Sequence, residues 1–309
     1  MGTIDLGAAP PVPDNNTDSN TDNNPDSILA GLPRRVSLTL TELLFVAERA
    51  GGAPLPFDLA DDRAGAALDG RLGPAPAAGD RTDLEAVVAR LREPRSSLSR
   101  RGLLVDTELD EGLLGAIGLL AAPMTAVDLD VTAGRTRVRA WHRQRGGAVA
   151  ALATADGVVF ELAWYPVDDW GDELARVAVV PEDLSLRPTV VPDHLELPRE
   201  LLDAAAEAVR TGRTDLLPVL AAQHGVPPGV VPAVGALVGE VRGRLRALVA
   251  DATGGRTTVV GVVSWILLTD GWRALQPRRD DRTDRVVIAR VQPSELAIEL
   301  APVLAEVRA

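Results

Sequence analysis

The sequence contains no cysteine and no lysine. Without cysteine the chain can form neither disulfides nor thiolate sites, so a reducing compartment is permitted but not required. All 32 Lys and Arg positions hold arginine, and 44 acidic residues outnumber them, which leaves a net charge of −12. A protein that binds the nucleic-acid backbone normally presents a basic face. The charge therefore argues against a nucleic-acid partner.

A long apolar run is also absent. The most uniformly apolar stretch, residues 257–268 (TTVVGVVSWILL), is too short for a bilayer-spanning helix, which needs ~20 residues. Residues 1–14 lack the basic start and apolar core of a signal peptide. We therefore expect a cytoplasmic protein with no membrane insertion.

Residues 1–33 have an unusual composition, because they hold all five asparagines of the chain and five aspartates but no arginine. Such a segment buries too little apolar surface to offset the entropy of ordering, so it is expected to be a disordered tail. Residues 34–309 are then expected to form a single α/β domain whose halves meet near residue 180.

The β-branched residues of the stretch 257–268 favour a strand over a helix, and we interpret it as a central strand buried on both faces. The turn Thr269-Asp270-Gly271 follows, and Trp272–Leu275 returns as a partner strand. Residues 148–164 show the same order of strand, Asp-Gly turn and strand, and each copy ends in an amphipathic helix. The repetition predicts two halves related by an approximate two-fold axis, both contributing strands to one sheet.

Elsewhere the pattern predicts helices alternating with strands that connect mostly through hairpins, which is typical of the α+β class. A strand at Val36–Leu40 should lead into a helix capped either by Thr39 with Glu42 or by Thr41. Further strands are predicted at 125–132, 135–142 and 285–291, an edge strand or connection at 185–197, and helices at 62–68, 83–93, 110–120, 198–211, 216–223, 232–250 and from Pro293 onward.

Three glycines in the predicted helix 232–250, Gly235, Gly239 and Gly243, recur every fourth residue and would line one face. Each costs ~1 kcal/mol relative to alanine in a helix interior, so close packing should offset the loss. Two alternatives fit. The face packs on a neighbouring helix of the same chain, such as 198–211, or it forms a groove for a partner helix.

Carboxylates are the only candidates for catalysis. Asp128 and Asp130 share one face of a predicted strand, where arginines 135, 137 and 139 across the hairpin explain them as ion pairs. Asp193, His194 and Glu196 resemble a metal site, but neighbours on an extended segment point to opposite faces and do not converge. We therefore predict no metal site. An enzyme of unknown type that uses these carboxylates stays open as an alternative.

Three blocks of sequence between Val36 and Val307 form a pattern of their own. The first is VSLTLTELLFVAE with a Gly-Gly break and PLPFDL. The second is LSRRGLLVDTELDEGLLGAIGLLAAPMTAVDLDV. The third is VVSWILLTDGWRALQP with the closing SELAIELAPVLAEV. In this order the blocks resemble the EspG family, the cytosolic chaperones of type VII (ESX) secretion in actinobacteria.

This resemblance implies a central, mostly antiparallel sheet with two helical bundles, and a chaperone that binds helical substrates such as PE/PPE or WXG100-like proteins and keeps them soluble for export. It implies no catalysis and no cofactor. The family's contact surface, a C-terminal bundle and a hairpin loop, would correspond here to Val234, Gly235, Leu237, Val238, Gly239, Val241, Gly243 and Leu245, and to Arg143, Gln144 and Arg145. A self-assembling structural module is a further alternative.

Overall fold

The structure is a computed structural model that describes residues 34–57, 93–279 and 284–307. Ten strands form one antiparallel sheet in the order β1-β7-β6-β5-β4-β9-β10-β11-β12-β8, and β2 and β3 form a small hairpin. The strands are β1 Arg34–Thr39, β2 Leu104–Val105, β3 Glu108–Leu109, β4 Thr125–Ala133, β5 Thr136–Arg145, β6 Ala148–Thr154, β7 Val159–Pro166, β8 His194–Pro198, β9 Gly243–Asp251, β10 Thr258–Leu268, β11 Gly271–Arg279 and β12 Asp284–Val291.

Helices cover both faces of this sheet. They are α1 Leu40–Arg49, α2 Pro94–Arg100, α3 Glu111–Ala121, α4 Trp170–Val177, α5 Arg199–Arg210, α6 Leu217–Gln223, α7 Val231–Gly239 and α8 Leu296–Val307. On one face, α4 and α8 bury a core around Trp265 and Trp272. On the other face, α1–α3 form an N-terminal bundle and α5–α7 form a C-terminal bundle, each with its own core. The α+β prediction with a large antiparallel sheet is confirmed.

Local chemistry explains the chain's early turns. Thr39 caps α1, since its hydroxyl accepts from the backbone N–H of Glu42 while the Glu42 carboxylate accepts from the N–H of Thr39. Between β6 and β7, the Asp156 carboxylate accepts from two backbone N–H groups of the turn, and Gly157 takes a φ of 72° that suits glycine. The Asp-Gly turn was predicted from the sequence, and Thr39 is one of the two caps that were predicted for the helix.

The two halves have the same strand order when counted outward from the central pair β4 and β9. One half runs β4-β5-β6-β7-β1 and the other runs β9-β10-β11-β12-β8. The predicted repeat was therefore displaced by one strand: β6 and β7 correspond to β11 and β12, while the apolar strand β10 corresponds to β5. The two-fold axis itself stays a prediction.

The apolar strand β10 is buried over only part of its length. From Val263 to Leu268 most of its side chains are buried, whereas Val259 and Val262 are exposed. The prediction of burial on both faces was wrong for the first half of the strand. The reason is that the two bundles stand apart and leave this part of the sheet uncovered.

The largest error concerns the helix predicted at 232–250. Helix α7 ends at Gly239, and residues 243–251 form β9, which pairs with both β4 and β10. The alternation of Arg244 and Arg246 with buried Leu245 and Ala247 is a strand pattern. The predicted tail 1–33 and the predicted helix at 62–68 lie outside the described residues, as does the predicted helix at 83–93 apart from Glu93, which caps α2.

Candidate partner-binding site

The two bundles leave a strip of the sheet uncovered between them. The N-terminal core reaches Trp141 on β5 and the C-terminal core reaches Ile266 on β10. The residues of β4 and β9 that point to the same face belong to neither core. We call this bundle-facing surface of β5, β4, β9 and the first half of β10 the central floor. It is walled by a helical bundle on each side.

One end of the central floor is apolar. A cavity of about 430 Å³ opens there, between the end of α3 and the strands. Its lining includes Leu55, Leu120, Leu248 and Val259. Val259 is 57% exposed, and nearby Val262 on the same strand is 44% exposed. Met124, which follows the cavity residue Pro123, is 46% exposed. Exposed apolar side chains that cluster around a concave surface are typical of a protein-binding site.

The opposite end of the central floor is basic. Asp130 on β4 lies in register with Arg139 on β5 and with Arg246 on β9. The next row of the same face holds Arg137, Thr132 and Arg244. The Asp130 carboxylate accepts from Arg137, with Nη2 to Oδ2 at 2.6 Å. The predicted ion pair between Asp130 and the arginines of the facing strand is therefore present, with Arg137 as the partner. Asp128 instead pairs with Arg143, which was not among the arginines predicted for it.

Asp128 binds Arg143, which is 8% exposed and lies in the wall of the cavity. Arg143 Nη1 donates to Asp128 Oδ1 at 2.5 Å. Next to it, Gln144 Nε2 donates to the carbonyl oxygen of Gly146, which closes the β5–β6 turn, and the side chain of Arg145 is exposed at the cavity rim. The hairpin predicted as a contact loop therefore borders the apolar cavity, although Arg143 and Gln144 are themselves buried.

The glycine face of α7 is partly covered by the same chain. A Cβ on Gly235 would lie 3.4 Å from Leu217 on α6, and a Cβ on Gly239 would lie 3.9 Å from Val209 on α5. Packing within the chain therefore accounts for Gly235, whereas Gly239 is exposed and its contact with a partner stays a prediction. Gly243 is not on this helix at all. It begins β9, so the expectation of one continuous glycine face was wrong.

The predicted bundle residues differ widely in accessibility. Val234, Leu237 and Leu245 are at most 3% exposed, and Val238 and Val241 are partly buried against the C-terminal core. A partner cannot contact the three buried side chains in this conformation. The end of α7 and the β5–β6 hairpin lie at opposite ends of β4, because Gly243 pairs with Ala133 whereas Gln144 pairs with Thr125. At ~3.4 Å per residue they are separated by about 27 Å.

The four candidate carboxylates fall in two separate places. Asp128 and Asp130 lie on the central floor, whereas Asp193 and Glu196 lie next to or in the edge strand β8. Each pairs with arginine. Glu196 binds Arg285 at 2.6 Å, and Asp193 binds Arg290 at 3.3 Å. They do not converge on a common reaction centre. Among the described residues, no group of three or more His, Asp and Glu side chains could hold a metal ion.

A buried polar cluster lies on the opposite face of the sheet, under α4. His142 is 2% exposed. Its Nδ1 accepts a hydrogen bond from Nε1 of Trp170 at 3.1 Å and lies 2.9 Å from the Tyr165 hydroxyl oxygen, which is also within hydrogen-bond distance. Indole nitrogen is a donor only, so the neutral ring carries its proton on Nε2. Burial, with the charges of Arg143 and Arg35, lowers the pKa of His142 from 6.5 to about 3. The cluster is neutral at physiological pH.

The sequence reasoning missed the residues that line the cavity. Leu248 and Val259 were assigned to a helix and to a buried strand, and Met124 had no assignment. The alternation of β9 could have placed Leu248 on the same face as Arg244 and Arg246, and therefore on an uncovered surface. Nothing in the sequence alone shows that α3 ends beside these strands.

No curated protein sequence matches the chain significantly. The fold is similar to that of EspG5, the type VII secretion system chaperone of Mycobacterium tuberculosis, solved in complex with the PE25–PPE41 dimer. The TM-score is 0.60 at 12% sequence identity, over 88% of this chain and 96% of that chain. No described helix has the length and apolar character needed to cross a membrane. The model of the EspG family matches residues 39–302, and the chain therefore belongs to the EspG family.

Proposed function

We propose that this protein is a cytoplasmic chaperone of type VII secretion, which binds a helical substrate of the PE/PPE class and keeps it soluble before export. WXG100-like proteins are a second possible class of substrate. Membership of the EspG family supports the proposal, as does the chaperone to which the fold is similar. The observation that carries it is the apolar end of the central floor, with exposed Met124, Val259 and Val262 around a cavity.

The surface suits a helical tip in shape and chemistry. The two bundles form walls on either side of the floor, and the cavity at its apolar end can receive one or two large apolar side chains. Fully burying a Leu or Phe side chain is worth roughly 1.5–3 kcal/mol, so a small number of anchors supports a specific complex. Arg145 and the β5–β6 turn lie at the rim, where they can contact the flank of the substrate.

The predicted bundle contacts take a smaller part in this proposal. Val238 and Val241, with the exposed Gly239, are the members of that set that a substrate can reach. They lie at the basic end of the floor, about 27 Å from the β5–β6 hairpin along β4. A helical hairpin lying along the floor would touch both regions.

Co-expression with a PE–PPE pair encoded beside this chain tests the proposal. We expect the three chains to co-elute in size-exclusion chromatography with a mass equal to one copy of each, as measured by light scattering. If neither PE–PPE nor WXG100-like pairs co-elute, the proposal is wrong. A self-assembling module would instead form oligomers when purified alone.

The enzyme alternative has its own test in the same samples. Alanine substitution of Asp128, Asp130, Asp193 or Glu196 would abolish an activity and leave any complex intact if these carboxylates were catalytic. Their pairing with arginine instead supports a structural role. We therefore propose that the protein acts by binding and is not an enzyme.

A further inference from the structure

The basic end of the central floor is unexpected in an acidic protein. Its four arginines face one aspartate, Asp130, in a chain whose net charge is −12. The arginines are Arg137, Arg139, Arg244 and Arg246. Within the described residues, the side chains of Arg244 and Arg246 are exposed and make no hydrogen bond or ion pair with the protein. Adjacent like charges repel, so an anionic group that covered them would stabilise this surface.

The chain itself contains a segment of complementary charge. Residues 1–33 carry five aspartates and no basic side chain, and four of the five aspartates lie between Asp14 and Asp26. We propose that this Asp-rich segment, residues 14–26, docks on the basic end of the central floor of the same molecule. The contact is intramolecular and does not depend on the proposed chaperone function.

The point of attachment permits this contact. Residue Arg34 begins β1 and lies in the register row that runs through Trp164 and Ala150 to Arg143. From Arg34 to Arg246 there are five steps between strands and four residues along the strand direction, roughly 27 Å in all. Asp22 precedes Arg34 by twelve residues, which span up to about 40 Å when extended. Asp14, Asp18 and Asp22 can therefore all reach the arginines around the end of the N-terminal bundle.

The order of apolar and acidic residues along the segment corresponds to the order of the apolar and basic ends along the central floor. Moving away from Arg34, the segment first presents Ile28, Leu29 and Leu32 and only then the aspartates. The central floor likewise passes from its apolar end, in the row of Arg143, to its basic end. Because the segment is tethered, its effective concentration at the floor is on the order of millimolar, so several weak charge contacts suffice.

The absence of cysteine makes a direct test simple. A nitroxide attached to Ser19→Cys in the full-length chain should broaden amide signals of residues 128–132 and 244–248 in low salt. Replacing Asp14, Asp18, Asp22 and Asp26 by asparagine, or introducing Arg244→Gln with Arg246→Gln, should reduce this broadening at least threefold. The exposed Arg199→Gln on α5 is the matched control and should leave it unchanged. Salt at about 0.5 M should also reduce it, because the Debye length falls well below 10 Å.

Three results would overturn the proposal. The first is no broadening on the floor, and the second is broadening that survives both sets of charge substitutions. The third is broadening that appears only between a labelled and an unlabelled copy, which would show that the segment docks on another molecule. The asparagine variant changes no residue of the described sheet or bundles, so it keeps the test decisive even if the arginine variant is unstable. A chaperone that failed to bind substrate would not affect any of these readouts.

Discussion

The neutral, buried His142 should make the protein sensitive to acid. Its pKa is lowered to about 3 by burial and by the charges of Arg143 and Arg35, whereas in the unfolded chain it is near 6.5. Between these values the unfolded state binds a proton that the folded state does not. Stability contributed by the neutral ring is therefore present above pH 6.5 and is lost as the pH falls, by up to ~1.4 kcal/mol per unit.

Urea unfolding of the wild type and of His142→Gln at pH 6.5 and pH 5 measures this effect. Glutamine is polar and does not titrate, so the wild type should lose about 2 kcal/mol more than the variant over this range. The carboxylates contribute equally to the pH dependence of both proteins, so their contribution cancels in the difference. Equal losses in the two proteins would show that His142 is not the group responsible.

At the scale of elements, the seam between β4 and β9 joins the two halves of the sheet, and Gly243 sets its spacing. A Cβ at this position would lie 2.1 Å from the carbonyl oxygen of Thr132 and 3.0 Å from Cα of Ala133. Both atoms belong to the backbone, so relief requires β9 to move away from β4. We expect Gly243→Ala to lower the free energy of unfolding by about 3 kcal/mol.

Gly235→Ala provides the control for this prediction. Gly235 lies inside α7, and its nearest neighbour, a methyl group of Leu217, would be 3.4 Å from the new Cβ, an ordinary contact. This variant should be neutral or more stable by up to ~1 kcal/mol, because alanine is the better helix former. Chemical denaturation compares the two. A Gly243→Ala protein as stable as Gly235→Ala would contradict the close approach of the strands.

Most elements could be predicted because their signals are local. The cap of α1, the Asp-Gly turns and the amphipathic face of α8 each depend on residues close in sequence. The prediction of a helix at 232–250 was wrong because the four-residue glycine spacing was extended into residues 243–251, where buried and exposed side chains alternate every second residue. Strand β9 is determined by contacts distant in sequence, because it pairs with β4 on one side and β10 on the other. Without it, both of these strands would expose unpaired edges at the centre of the sheet.

At the scale of the whole molecule, the proposed binding surface lies where sequence patterns carry little information. The central floor takes two strands from the first half, β5 and β4, beside β9 and β10 from the second, about 100 residues further along the chain, with walls from two bundles. Its family and its fold class could be predicted, because blocks of sequence in the right order resemble a known pattern. The cavity could not, because Leu120, Leu248 and Val259 converge only in three dimensions.

In the proposed function, an apolar surface on the central floor binds the substrate. The most direct measurement is the affinity of a co-purifying PE–PPE pair for two variants, Val259→Asp and Ile298→Asp, by isothermal titration calorimetry. Both residues are exposed valine or isoleucine side chains, but Val259 lines the cavity whereas Ile298 lies on α8, on the other face of the sheet. We predict that Val259→Asp weakens binding at least tenfold, about 1.4 kcal/mol, and that Ile298→Asp binds like the wild type. Equal affinities for the two variants, or a loss confined to Ile298→Asp, would contradict the central claim.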